Sequence, residues 1–256
     1  MLSPFTVMVE IKDEPQRIIP LLENFEGLAK VVVLLDPDDT QTEAILSERS
    51  VDYVRRPVDY VTFTQAARTA WFLAQAPTKY ILVAHASFYI PRKLLQIFDT
   101  VAREEVYSAV IHATNYWSHG VLVQQPWIRK RSSASYFFNK EMVSVESAKI
   151  HNEFPVNSSR KLKVSPDREL SIHIFRDDDM PTLTLKHVSY AEREAREMIG
   201  SAAPISFFAL IFNPLKAFLI GYFRMGGVRS GIPGLIYHFH YASYRFLVCS
   251  RLWELQ

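Results

Sequence analysis

Along the first third of the chain, apolar runs alternate with amphipathic ones, and each apolar run closes on small or polar residues. "FTVMVEI" (5–11) is β-rich. It is followed by "DEPQRIIPLLENF" (13–25), whose Ile18, Ile19, Leu21 and Leu22 cluster as on one helix face. "KVVVLLD" (30–36) is continuously apolar, the pattern of a strand buried on both faces of a parallel sheet. A helix over "TQTEAILSER" follows, with Thr40 or Thr42 as its cap. Then come a short strand "VDYVRRP", a helix "TFTQAARTAWFLAQA", a strand "YILVAHA" and a helix "PRKLLQIFDTVARE". Strand–helix alternation of this kind predicts an α/β fold: an open, mostly parallel sheet flanked by helices, with right-handed crossovers.

Beyond Glu105 the pattern loosens. "VYSAVIHATNYW" reads as one further strand, and the stretch from Val121 to Asn157 is irregular and strand-leaning. "ELSIHIF" reads as a strand and "TLTLKHVSYAEREAREMIGSA" as a charged amphipathic helix. In the tail, Gly226-Gly227 and Pro233-Gly234 divide two helical segments. No internal repeat interrupts this order.

Charge changes the picture little: 29 Lys and Arg against 27 Asp and Glu argue for neither a nucleic-acid partner nor an acidic one. The single cysteine, Cys249, excludes an internal disulfide and suits a reducing compartment. The N-terminus lacks the basic start and long apolar run of a signal peptide. No glycine-rich phosphate loop is present, which argues against a dinucleotide-dependent dehydrogenase, a P-loop enzyme, or a methyl- or phosphotransferase.

Candidate chemistry collects at strand ends. Asp13-Glu14 follows the first strand and Asp36-Pro37-Asp38-Asp39 the second. Neighbouring carboxyl ends of parallel strands form the crevice where nucleotides bind, although such residues also end strands and cap helices everywhere. The fourth strand ends in His85-Ala86-Ser87, the position of a site without the usual carboxylates.

The order of these pieces resembles family 2 glycosyltransferases. "TVMVEIKDEPQRIIPLLENF" is similar to the family's opening strand, Asn-Glu pair (here Asp13-Glu14) and helix. "VVVLLDPDDTQTEAIL" is similar to its second strand and following turn, matching at Asp36 and Thr42 and departing between them. "YILVAHASFYIPRKLLQI" occupies the place of the Asp-x-Asp strand, with His85 and Ser87 where carboxylates are usual. Downstream, "AKIHNEF" is similar to a His-Glu segment, and the tail from Asn213 resembles the C-terminal region of bacterial enzymes that decorate lipopolysaccharide cores. There Ser230 replaces the usual Asp of a glycine-rich turn.

The resemblance implies a GT-A fold over residues 1–200, with a helical tail over 201–256. It implies transfer of a sugar from a nucleotide-sugar, with inversion, to a cell-surface saccharide or lipid-linked acceptor. Asp13, Glu14, Asp36 and Arg68 would contact the nucleotide, Glu153 would be the base, and His85, Ser87 and His173 would face the diphosphate. Asp177, Asp178 and Asp179 form a second candidate base group, and Arg129, Lys130 and Arg131 a further source of positive charge. For the His-Ala-Ser strand end three readings stand open. His85 bonds the diphosphate directly without a metal, or it keeps one contact to Mn²⁺ or Mg²⁺ helped by His173. Otherwise the site is inactive and the fold serves binding or assembly. Ser87 is a poor ligand for such cations, so no metal site is assigned.

From Pro204 onward the only acid is Glu254, and aromatic residues crowd the tail. Asn213, Pro214 and Lys216 interrupt its apolar runs short of a membrane span, while His238, His240, Arg245 and Arg251 are costly in hydrocarbon. A basic, aromatic tail suits the headgroup layer at the cytoplasmic face of a membrane. The alternative is packing on the catalytic domain or in a dimer.

Overall fold

The structure, a computed structural model, describes residues 2–11, 15–124, 135–148, 154–175, 180–200 and 203–256. The first strands and helices alternate as β1 (Phe5–Ile11), α1 (Pro15–Phe25), β2 (Lys30–Leu35), α2 (Thr40–Glu48), β3 (Asp52–Arg55), α3 (Gln65–Ala74), β4 (Tyr80–His85), β5 (Phe88–Tyr89) and α4 (Arg92–Glu104). Short strands follow: β6 (Ala109–Ile111), β7 (Ala113–Ser118), β8 (Val121–Gln124), β9 (Phe137–Asn139), β10 (Lys161–Lys163) and β11 (Ser171–Phe175). Three helices close the chain: α5 (Met180–Met198), α6 (Phe207–Leu219) and α7 (Gly231–Leu255). Two compact units result, one of Met1–Thr114 with Ile128–His173, the other of Asn115–Trp127 with Ile174–Gln256.

The first unit holds a seven-stranded sheet in the order β10-β6-β9-β4-β1-β2-β3. Pairs β1–β2, β1–β4, β2–β3 and β10–β6 are parallel; β9 alone runs antiparallel, between β4 and β6. The expected α/β sheet, mostly parallel and flanked by helices, is therefore present. Its continuous apolar strands are buried on both faces, as Val7, Met8 and Val9 illustrate. On one face Met8, Leu34, Ile81, Val83 and Phe138 pack with Phe72, Leu73 and Ala76 from α3 and the residues after it. On the other, Phe137 stacks on Phe98 of α4 at 4.4 Å and takes the edge of Phe5 at 5.4 Å. Helix α4 buries Leu94, Leu95, Phe98, Val101 and Ala102, the one-three-three-one spacing of a single helical face.

Three local expectations are corrected. The cap of α2 is Asp39, whose carboxylate accepts from the Thr42 backbone N–H at 3.0 Å and its hydroxyl at 2.7 Å. A carboxylate there also suits the positive end of the helix. The expected single strand around His112 is broken at that residue into β6 and β7. In the tail, Pro233-Gly234 lies inside the first turn of α7 and does not end a helix; the break is at Gly226-Gly227. Gly234 is needed for close approach, since a Cβ there would lie 2.1 Å from the Gly227 carbonyl oxygen.

Within the second unit, β7 and β8 form an antiparallel hairpin across His119-Gly120, both at positive φ. Ser230 donates to the Leu122 carbonyl, and the buried His238 Nε2–H donates to that of Val123 at 3.0 Å. Gly221 and Gly227 leave the space that His238 fills. Helices α5 and α7 are joined by the buried Glu194 carboxylate, which accepts from the Tyr244 hydroxyl and, at 2.7 Å, from Arg245 Nη1. Arg251 of α7 pairs with Glu192 of α5. The tail arginines that make hydrocarbon burial costly are thus neutralised by protein carboxylates.

Asn213 and Pro214 do not interrupt α6. The helix runs through them and continues as a π-turn over Ile220–Arg224, giving 18 continuous residues, Phe207–Arg224, long and apolar enough by length and composition to cross a membrane.

Candidate functional site

In the order β3-β2-β1-β4 the chain proceeds outward from β1 through β2 to β3, then crosses to the other flank of β1 as β4. Such a reversal marks the place, beyond the carboxyl ends of β1 and β4, where ligands bind in open α/β sheets. Register places Glu10 of β1 opposite His85 of β4, and Ile11 opposite Leu35 of β2. In-register residues on neighbouring parallel strands point to the same face, about 4.8 Å apart along the sheet. Glu10 and His85 therefore stand side by side at the switch point, with Asp36 one position past the end of β2.

These tips are cross-linked by residues following β3. Arg56 donates from its backbone N–H to Leu35 at 2.8 Å and from Nη2 to the Ile11 carbonyl at 2.9 Å, and it pairs with the Asp36 carboxylate. Its guanidinium lies over the Tyr60 ring at 5.5 Å, and that of Arg68 lies over the same ring at 5.6 Å. Arg68 also donates from Nε to the Tyr60 carbonyl at 3.2 Å. The Tyr60 hydroxyl donates to Glu10 at 3.0 Å. Burial and then the Glu10 charge push the Tyr60 phenol far above its ordinary range, so it stays a donor. Arg56 Nε is buried without a hydrogen-bond partner among the described residues. The result is one connected network at the strand ends, two carboxylates, two guanidinium groups and a phenol, with the His85 imidazole in register beside Glu10.

Of the residues expected from sequence, Asp36, Arg68 and His85 come together here. Ser87 sits two residues beyond His85, in the turn between β4 and β5. His85 meets the edge of Phe88 at 5.0 Å. His173 lies against Tyr89 at 6.0 Å and donates from Nε2 to the Arg168 carbonyl at 3.0 Å. Phe88 and Tyr89 are consecutive strand residues whose side chains point oppositely, so the described contacts tie His173 and His85 to different faces of β5. Asp13, Glu14, Arg129, Lys130, Arg131, Glu153, Asp177, Asp178 and Asp179 lie outside the described residues.

Glu10, Arg56 and Tyr60 escaped the sequence reading. Glu10 had a signal, being the lone charged residue in an otherwise apolar run; "RRP" looks like any solvated strand end.

Mn²⁺ or Mg²⁺ prefers several oxygen ligands. The end of β4 offers an imidazole and a hydroxyl, and the neighbouring Glu10 carboxylate is engaged by Tyr60. Among the described residues, no group of three or more His, Cys, Asp or Glu is placed to hold a metal. This donor set does not fit a hard divalent cation.

The architecture and the switch-point site together define a GT-A-like α/β fold. Residues 1–349 of S. aureus TarS, a GT-A-type glycosyltransferase solved in complex with UDP-GlcNAc, superpose with a TM-score of 0.52 and 13% identity, covering 98% of this chain and 90% of that one. The same TarS fragment in a second structure gives a TM-score of 0.50 at 13% identity with the same coverage. Glucosyl-3-phosphoglycerate synthase from Mycobacterium tuberculosis, solved with Mn²⁺, UDP-glucose and glycerol 3-phosphate, gives 0.48 at 12% identity over 77% of this chain and 79% of that one. No protein-family profile and no curated protein matches the sequence.

Proposed function

We propose that the chain is a glycosyltransferase-like protein that binds a nucleotide-sugar at the carboxyl ends of β1, β2 and β4 and transfers the sugar to a saccharide or lipid-linked acceptor. The supporting observation is the switch point itself, where Glu10, Asp36, Arg56 and His85 meet on adjacent parallel strand tips. Carboxylates in such a crevice accept from ribose hydroxyls and base N–H groups. A guanidinium with a spare buried Nε–H, a second one at Arg68 and the His85 imidazole are suited to diphosphate oxygens. Residues 1–200 serve as the donor domain, residues 201–256 as an attachment segment, and the protein works at the cytoplasmic face of a membrane on a lipopolysaccharide-type acceptor.

The transfer is an inverting displacement. An acceptor hydroxyl oxygen forms the new bond to the anomeric carbon, its proton passes to a carboxylate, and the anomeric C–O bond breaks to release the nucleoside diphosphate. Glu153 is the proposed proton acceptor, with Asp13 and Glu14 as further nucleotide contacts. Arg56, Arg68 and His85 stabilise the charge that develops on the leaving group, in place of a cation.

Titration calorimetry of the purified chain with UDP-, GDP- and dTDP-sugars, with and without Mn²⁺, tests this reading. One donor is expected to bind with a Kd of order 10–1000 μM whether or not Mn²⁺ is present, as for ordinary substrates. Silence towards every donor would remove the proposal. Replacing His85 by Asp restores a carboxylate at the end of β4, and Mn²⁺ is expected to tighten donor binding to this variant alone. The second reading, a GT-A-like binding protein without transfer, is favoured by His85 and Ser87 standing where carboxylates are usual; donor binding with no product after long incubation would select it.

A further inference from the structure

Helix α6 and its π-turn extension carry an outer surface that, among the described residues, no other part of the second unit covers. None of the 13 residues of α6 is buried, and only 6% of the stretch Phe207–Arg224 is enclosed. The exposed side chains are ordered. Phe207, Ile211, Leu215, Leu219 and Phe223 follow one another at intervals of four, a single ridge along the helix, and every one is exposed. The adjacent ridge reads Phe208, Phe212, Lys216, Ile220 and Arg224, apolar residues with two cations set a turn or two apart. Across the Gly226-Gly227 break, α7 continues the theme, with Ile232, Ile236, Phe239 and, at intervals of seven, Phe246 and Trp253 exposed. Contiguous apolar area on this scale marks an interaction surface.

Charge identifies the partner. Between Pro204 and Gln256 the only acid is Glu254, which pairs with Arg251. Arg245 and Arg251 pair with Glu194 and Glu192. Lys216, Arg224 and Arg229 are exposed on the hairpin among aromatic rings. A two-fold dimer built on this face would set cation against cation. An anionic bilayer offers the opposite: acyl chains for the apolar ridge and phosphate groups for the side chains that snorkel beside it. Lys216 and Asn213 midway along α6 disfavour a path through the bilayer centre.

We infer that the α6–α7 hairpin is a membrane-docking element whose phenylalanine-rich ridge lies in the headgroup layer of an anionic lipid surface, with Lys216, Arg224 and Arg229 on the lipid phosphates. This inference is independent of the donor site, and it makes α6 a helix lying on the membrane, although its length alone would suffice for a span.

Flotation of the full chain with phosphatidylcholine vesicles, with and without phosphatidylglycerol, tests it. Binding is expected to the anionic vesicles and to weaken about fivefold for each positive charge removed, as in Lys216→Gln and Arg229→Gln. High salt is expected to release the protein. Phe212→Glu, at a position 57% exposed, is expected to lower partitioning about tenfold or more with the melting temperature and donor binding unchanged. The inference is overturned if wild type floats with neither vesicle, or if binding is indifferent to lipid charge. It is also overturned if the attached protein resists salt and alkaline extraction, which would identify a true span. Light scattering that shows a dimer split by Phe212→Glu, without vesicle binding, would assign the surface to a second copy.

Discussion

Replacing Arg56 by Met is expected to cost about 3 kcal/mol of stability, within the range for breaking one partner out of a buried pair. At 2–4 °C per kcal/mol for a domain of this size, the melting temperature falls by roughly 6–12 °C. The cost arises because Arg56 closes three strand tips at once: it satisfies the Ile11 carbonyl of β1, neutralises Asp36 after β2, and continues from β3. Its side chain is 11% exposed and that of Asp36 21%, so water replaces little of what is lost. Met keeps the alkyl volume over Tyr60 but leaves a carboxylate and a carbonyl without their donor. Arg56→Lys keeps the charge and not the fork, and should fall between the two. Asp36→Asn in the Arg56→Met background should recover part of the loss, because the stranded charge is then gone. Thermal melts of the four proteins decide the matter. If Arg56→Met melts within a degree of wild type, the network does not hold the tips, and the preorganised donor site goes with it.

How much of this was legible beforehand depends on whether burial or topology sets the residue's role. The strands β1, β2 and β4 were readable because strands buried on both faces must be apolar throughout; "FTVMVEI" matches β1 residue for residue, and "YILVAHA" overruns β4 by its last alanine. The three-residue β9 was legible only as part of a strand-leaning stretch, because Phe137–Asn139 has no period of its own and becomes a strand by pairing with both β4 and β6. Asp36 and His85 were legible as strand-end residues. Glu10, Arg56 and Tyr60 were not, since their meeting depends on β1 lying between β2 and β4 and on where the chain goes after β3. The α2 cap, expected at Thr40 or Thr42, was misplaced for a local reason: Asp39 and the threonines after it are all good caps, and only the buried Asp39–Thr42 hydrogen bonds choose among them. In the tail, Pro214 and Pro233 looked like breakers. Each is accommodated, Pro214 within α6 and Pro233 in the first turn of α7, where a missing N–H has no intrahelical partner to lose.

The break between β6 and β7 carries the second large effect. His112 is fully enclosed there: Nδ1–H donates to the Ala113 carbonyl at 3.1 Å, Nε2 has no partner among the described residues, and the ring lies against Phe98 and Tyr136. Burial without an anionic neighbour disfavours the imidazolium and lowers the His112 pKa to about 4. In the unfolded chain an ordinary histidine titrates near 6.5. Between those two values the unfolded state holds the extra proton, so acid favours unfolding. The stability contributed by neutral His112 is complete above pH 6.5 or so and declines by about 1.4 kcal/mol per unit as pH falls, reaching roughly 3 kcal/mol near pH 4. His173 and His238 are shifted downward for the same reason, desolvation, and steepen the wild-type decline. His112→Phe keeps an aromatic ring between Phe98 and Tyr136 and removes the titration. Urea unfolding from pH 7 to pH 4 is expected to show the two proteins diverging, wild type losing about 3 kcal/mol more than the variant across that window. Parallel curves would mean that the unfolded and folded chains protonate this imidazole alike, which an enclosed ring at the β6–β7 break does not allow.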